Sequence, residues 1–387
     1  MPDSAKSSRR SFLSGRTAID ALGDALSGPP QPLPPPASIG VQAGSHLLSV
    51  SREAMACLFE IVLDAASYRD KTDAAVAALD LVDSLESQLT VYRETSEVAD
   101  INRRAGREPV VVEEGLYQLL QRAAALSDQT QGAFDVTAGR LSKVWGFYRR
   151  QGSMPSPGDV EEALQTVGGR HLQFDDQARS VRFMQPGLEL NLGAIGKGYA
   201  LDRAADSLAA AGINDFLIHG GNSSVLARGN RILGFGLPIL DSATDQQDQS
   251  KIQNPKSKIA SGWSIALRHP LKPDVRLAEF FLRDQALGTS GSGTQFFHYQ
   301  GKRYGHIIDP RSGWPAEQVL SATVIAPRAE QADALSTAFY VMGIDVALAY
   351  CEQQPDIAAL LVTQAGSAGG IELHPLNLSD DRWRRLT

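Results

Sequence analysis

Leu190–Leu208, LNLGAIGKGYALDRAADSL, places Gly193, Gly196 and Gly198 within six residues, sets Lys197 between the last two, and runs on into an amphipathic segment. A glycine-rich turn ahead of a helix offers backbone N–H groups to an anion. The stretch therefore decides whether the chain is built around a nucleotide-gripping P-loop. The Walker A pattern needs a glycine separated by four residues from the Gly–Lys pair, and a Ser or Thr directly after the lysine; Asn191 and Gly198 stand in those places. With the P-loop excluded, two readings stay open for the cluster by itself: an anion grip of another kind, or close packing of a helix against its neighbour, which also selects glycine.

Outward from this stretch the chain reads as globular. With 387 residues, 43% hydrophobic and 21% charged, it can bury the core of one large or two smaller domains. A formal net charge of −7 argues against a nucleic-acid surface, which would carry a basic stripe, and leaves small molecules and proteins as partners. Cys57 and Cys351 lie far apart in sequence, with neither zinc-ligand spacing nor a disulfide framework.

Residues 1–44 differ from the rest. SSRRSFLSGR (Ser7–Arg16) has the look of a bacterial twin-arginine export signal. Asp20 and Asp24 interrupt the apolar segment that such a signal needs, which favours a disordered arm and a cytoplasmic location over export. The Pro-rich GPPQPLPPPAS (Gly28–Ser38) reads as an extended tether. No later run reads as long and apolar enough to cross a bilayer. Residues 45–375 form the expected domain, with 376–387 as a C-terminal tail. Within it Asp241–Gly262 has almost no large apolar residues and is expected to be a disordered insertion.

HLLSVSREAMACLFEIVLDA (46–65) predicts strand, tight turn, strand. In residues 73–92 the apolar Ala75, Leu79, Val82, Leu85 and Leu89 fall at helical spacing with acids between them. Helical periodicity recurs over 114–130, 198–212 and 329–343, and DFLIHGG, WSIALRHP, AEFFLRD, SATVIAP and IAALLVTQ read as strands. Helices and strands mix without βαβ alternation, so the class is α+β.

Three further stretches carry candidate chemistry. Asp333 and Thr337 stand at i and i+4, so both oxygens project from one helical face, a pair that suits a hard cation such as magnesium or else a solvated surface. In RYGHIIDPRSGWP (303–315), His306 is a candidate proton acceptor or a structural histidine bonded to Asp309. Phe134, Trp145 and Phe147 offer an aromatic wall or ordinary core.

Taken in order, MACLFEIVL, LESQLTVYRETSEVADIN, GAFDVTAGRLSKVWGF, LNLGAIGKGYALD, FLIHGGNSSVLARG, TSGSGTQFF, YGHIIDPRSGWP and ADALSTAFYVMG resemble the FAD:protein FMN transferase family, also called ApbE, over residues 46–365. The resemblance implies mixed sheets packed with helices and FAD in a crevice. It implies an enzyme that uses magnesium to move the FMN half of FAD onto a Thr or Ser hydroxyl of a client flavoprotein, releasing AMP. It carries FAD contacts over to Met55, Tyr92, Ala133, Phe134, Asp135, Asn191, Lys197 and Ile307, and metal ligands to the Ala194 backbone oxygen, Asp333 and Thr337. His306, next to Ile307, is the candidate base. A planar flavin stacked on Tyr92 makes physical sense, because an aromatic ring buries its face at low entropic cost.

Two positions depart from the family pattern. Asn191 replaces the usual Asp six residues before the lysine, and Asn222 replaces the last residue of Gly-Gly-Asp. An amide can donate as well as accept but carries no charge. Two alternatives follow: an FAD pyrophosphatase giving FMN and AMP, and an FAD-binding or assembly protein that does not transfer.

Overall fold

The structure, a computed structural model, describes residues 47–221, 223–229, 262–291, 295–366 and 370–386. The expected N-terminal arm, almost all of the expected insertion, and Asn222 lie outside the described residues.

Among these residues an eight-stranded sheet organises the domain. Its order is β1 (Leu47–Ala54), β2 (Cys57–Asp64), β6 (Phe216–Gly220), β7 (Ser224–Arg228), β10 (Gln285–Gly291), β13 (Ser321–Ala326), β14 (Ala358–Ala365) and β15 (Gly370–Leu376), numbered along the chain, with antiparallel ladders throughout. Side chains alternate across its two faces, as the pleat requires. Ile61, Leu63, Ile218 and Val324 join a core with helices α1 (Thr72–Leu89), α3 (Glu114–Gln129), α6 (Gly196–Ala210) and α7 (Ala329–Gln353). Val62, Leu217, Val225 and Leu360 form a second core with a three-stranded sheet of β8 (Trp263–His269), β9 (Lys272–Leu282) and β16 (Trp383–Arg385). The domain is thus α+β in three layers: helices, large sheet, small sheet. All five apolar positions read in residues 73–92 are buried on α1.

Smaller elements complete one end. Helix α2 (Glu97–Arg104) and the ladder of β3 (Val110–Val111), β5 (Ser180–Phe183) and β4 (Leu172–Asp175) precede α6. Helices α4 (Gly139–Val144) and α5 (Pro157–Leu164) pack with the hairpin of β11 (Phe296–Tyr299) and β12 (Lys302–Gly305) around Trp145.

Two sequence expectations change here. The segment read as a C-terminal tail contains β16, which pairs with β9 and crosses to it through Arg384 and Glu279. Helix α7 is long and apolar enough to cross a membrane by length and composition, contrary to the reading that no run qualifies. It continues as far as Gln353 through a break at Gly343 (φ 78°). Its apolar side chains, among them Leu335, Ala338 and Phe339, lie in the core against the sheet, and its N-terminal end carries the buried Glu330 and Asp333.

The N-terminus of α7 is fixed by charge. Asp202 of α6 accepts from the N–H groups of Ala329 (2.9 Å) and Glu330 (3.0 Å), and burial pushes its carboxyl up to about 6. Glu330 in turn accepts both arms of the Arg122 guanidinium, at 2.6 and 2.9 Å. The helices meet through glycine: a Cβ on Gly198 would lie 2.1 Å from the Ala329 carbonyl oxygen, and one on Gly288 of β10 2.4 Å from that of Ala332.

Overpacking usually costs about 1–3 kcal/mol, and here the obstacle is backbone that cannot rotate away. Gly198→Ala and Gly288→Ala should each lower unfolding stability by roughly 3 kcal/mol or more. Gly106→Ala, which meets nothing within 4 Å, should change it by less than about 1 kcal/mol. Urea denaturation of the three variants checks this.

Candidate active site

A cleft of about 590 Å3 opens between the N-terminal ends of α6 and α7, the end of β10, the β1–β2 turn and the loop after α3. That volume suits an organic ligand. It gathers the twelve positions expected to contact FAD, bind the metal or act as base: Met55, Tyr92, Ala133, Phe134, Asp135, Asn191, Ala194, Lys197, His306, Ile307, Asp333 and Thr337. They come from six separate stretches of chain.

Asp333 is held by two other elements, α6 and β7. It is only 6% exposed, which rules out the solvated-face reading. Its Oδ2 accepts from the Gly198 N–H at 2.7 Å and its Oδ1 from the Ser224 hydroxyl at 2.6 Å. Burial raises its pKa; Lys197 and the two hydrogen bonds oppose the rise. One turn on, the Thr337 hydroxyl pairs with Ser290 of β10 at 3.0 Å, and Ser290 reaches Ser336 at 2.9 Å. Because the Gly198 N–H goes to Asp333, the Ala194 carbonyl four residues before it stays out of the α6 hydrogen-bond ladder.

This donor set fits a magnesium ion. It is all oxygen, and each Asp333 oxygen accepts one bond in the structure and keeps a second lone pair. Magnesium typically takes one or two carboxylates together with substrate phosphates. No group of three or more His, Cys, Asp or Glu side chains gathers among the described residues, so a hydroxyl and a carbonyl would complete the set. Lys197 supplies positive charge beside Asp333, its ammonium held by the Ser223 hydroxyl.

His306 is half-buried, and its Nδ1 faces the Gln295 carbonyl oxygen at 3.2 Å. With Nδ1 as donor, Nε2 is the ring's acceptor. Burial lowers the pKa, Lys197 lowers it further, and the Gln295 contact opposes both. The alternative partner, Asp309, instead forms a two-armed pair with Arg311 at 2.9 and 2.8 Å.

The remaining positions divide by geometry. Tyr92 is 61% exposed at the rim, its ring 4.8 Å from that of Tyr148. Phe134 and Phe147 line the cleft. Trp145 instead lies in the neighbouring aromatic cluster, donating to the Gly313 carbonyl at 2.8 Å. The Asn191 amide oxygen accepts from the Gly193 N–H at 2.9 Å, an Asx turn that shapes the glycine loop. Asp135 accepts four bonds: the Thr137 N–H (2.8 Å) and hydroxyl (2.6 Å), the Ser127 hydroxyl (2.8 Å) and the Gly169 N–H (2.9 Å). Four bonds fill a carboxylate, so its geometry is that of a hub holding Ala133 and Phe134 in place.

Ser224, Ser290 and Gln295 were missed as site residues. All three stand in the blocks FLIHGGNSSVLARG and TSGSGTQFF, and the unusual density of small hydroxyl residues there was the available signal.

The sequence model of the ApbE family matches residues 55–361. The chain belongs to the ApbE family. A curated FAD:protein FMN transferase of Klebsiella pneumoniae is 32% identical over 287 residues, covering 73% of this chain and 80% of that protein. One of Treponema pallidum is 33% identical over 294 residues, covering 73% and 75%. Among solved structures, the ApbE protein of Thermotoga maritima superposes with a TM-score of 0.69 at 31% identity, covering 84% of this chain and 96% of that one.

If Asp135 is a hub, Asp135→Ala strands four donors and should cost roughly 3 kcal/mol or more of stability. Asp135→Asn, which keeps one acceptor, should cost less. Urea denaturation, run beside FAD titration of the variants that remain folded, checks this.

Proposed function

We propose that the chain is an FAD:protein FMN transferase, which binds FAD in this cleft and moves its FMN half to a Thr or Ser hydroxyl of a client flavoprotein. The observation that carries the reading is the meeting, in one cleft, of Lys197, His306 and the oxygen set of Asp333, Thr337 and Ala194. The family membership and the names of the relatives support it.

Phosphoryl-type transfer asks for positioning and charge neutralisation more than for covalent chemistry by the protein. Tyr92 at the rim, Met55, Ala133, Phe134 and Ile307 hold the flavin. Asn191 shapes the loop beside the nucleotide, with its amide hydrogens available to donate. Lys197 answers the pyrophosphate charge. Asp333, Thr337 and the Ala194 carbonyl would hold the magnesium ion, which when bound neutralises and polarises the pyrophosphate.

The client hydroxyl oxygen attacks the FMN-side phosphorus, and the bond from that phosphorus to the bridging oxygen breaks. AMP leaves with the bridging oxygen and its electron pair. His306 Nε2 accepts the hydroxyl proton. The products are a phosphoester-linked FMN on the client and free AMP.

Incubating the protein with FAD, magnesium and candidate flavoprotein subunits should give a client heavier by one FMN unit, with AMP released in equal amount, as read by mass spectrometry. FMN and AMP appearing free, with an unmodified client, would favour the pyrophosphatase. Tight FAD binding without turnover would favour the assembly protein. Thr337→Ser should be mild and Thr337→Val severe, by about a hundredfold or more. Asp333→Asn should be equally severe.

The pH dependence follows from His306. A base with a lowered pKa is neutral at pH 7, so kcat/KM should hold at neutrality and fall only as pH drops through a value below the ordinary 6.5. His306→Gln should lower the rate by about 100- to 10,000-fold and abolish that acid limb.

A further inference from the structure

The β1–β2 turn forms part of the cleft wall, through Met55 and Ala56. The register pairs Ala54 with Cys57, so the turn has two residues. Both are left-handed: φ is 49° at Met55 and 59° at Ala56. Such turns favour Asn and Gly, because a Cβ is strained there. Neither favoured residue is present, and the Met55 N–H lies outside the strand ladder.

Helix α1 supplies what the turn lacks. Asp80, Asp83 and Glu86 follow at intervals of three and so lie along one side of the helix. Arg52 of β1 pairs with Asp80 and, at 2.7 Å, with Asp83. Farther along, Glu86 Oε2 accepts from the Met55 N–H at 2.9 Å. Its other oxygen faces Arg93 at 3.9 Å, and Glu86 itself lines the cleft.

We infer that Glu86 is a positioning residue that clamps the strained Met55–Ala56 turn and so sets the shape of the flavin-facing wall. The inference rests on the flavin-transferase reading for its effect on FAD. The clamp itself is a property of the turn. Glu86 touches no reacting atom in this account, so its loss acts on FAD binding and leaves the chemical step largely intact.

The test compares Glu86→Ala, Glu86→Gln and the double variant Glu86→Ala/Ala56→Gly with wild type. Two readouts are used: amide hydrogen exchange at Met55, and the FAD dissociation constant by flavin fluorescence with magnesium held constant. Glu86→Ala should speed Met55 exchange and weaken FAD binding, each by about tenfold or more, while kcat changes little. Glu86→Gln keeps an acceptor oxygen and should stay within about threefold of wild type. Adding Ala56→Gly removes the Cβ strain from half of the turn and should recover roughly fivefold of the lost affinity.

Unchanged Met55 exchange in Glu86→Ala overturns the clamp, whatever the chain does with FAD. Faster exchange with unchanged FAD affinity overturns its role in the wall. Glu86→Gln as impaired as Glu86→Ala, or no rescue by Ala56→Gly, overturns it as well, since either result points to the carboxylate charge acting directly. Failure of wild type to bind FAD counts against the transferase reading, and the exchange readout then decides the clamp by itself.

Discussion

The Asp333 carboxylate holds three elements at once. It sits near the N-terminal end of α7, accepts the Gly198 N–H of α6 through one oxygen and the Ser224 hydroxyl of β7 through the other. A buried carboxylate is costly unless its oxygens are satisfied, so these partners keep the two helix ends and the strand in one arrangement. The same geometry takes the Gly198 N–H away from the Ala194 carbonyl and leaves Lys197 beside the carboxylate. Structure and site thus depend on one group, and the cleft opens where that group lies.

This arrangement requires unusually close backbones. Gly198 and Gly288 have no room for a side chain against the first residues of α7, and Asp202, one turn after Gly198 on α6, caps that helix. The glycine cluster that opened the sequence reading therefore serves both of the readings left open for it. Gly198 allows the helices to meet, and the turn before it presents a free carbonyl and a cation to the cleft. Two of the layers contribute to the cleft directly. The third, formed by β8, β9 and β16, covers the far face of the sheet.

Much of the fold was legible, because periodicity records burial. The α1 stripe, the helix beginning at Glu114 and the first strand pair stand nearly where the pattern puts them. The length of α7 was misjudged because its pattern is apolar on several sides, as a helix set between sheet and neighbouring helices must be. The segment read as a tail hides a strand of only three residues, too short for alternation to register. At the site, the ordered blocks name positions that the structure gathers in one cleft, whereas the hydrogen bonds each side chain makes depend on partners remote in sequence. Asp333 looks like a surface acid until β7 lies over it. Asp135 looks like a free carboxylate until Ser127 and Gly169 fold back onto it. Asp80, Asp83 and Glu86 look like a solvated face until the β1–β2 hairpin lies along it.

The central claim is that the oxygen set around Asp333 and the pyrophosphate of FAD share one cleft. Phosphorus NMR of FAD bound to the protein, titrated with manganese in place of magnesium, tests it directly, since manganese accepts the same oxygen ligands and a paramagnetic ion broadens the nearest nuclei most strongly. The account predicts strong broadening of both FAD phosphorus resonances in wild type, reversed by excess magnesium and largely lost in Asp333→Asn. Broadening that persists unchanged in Asp333→Asn, or resonances that stay sharp in wild type, would contradict it.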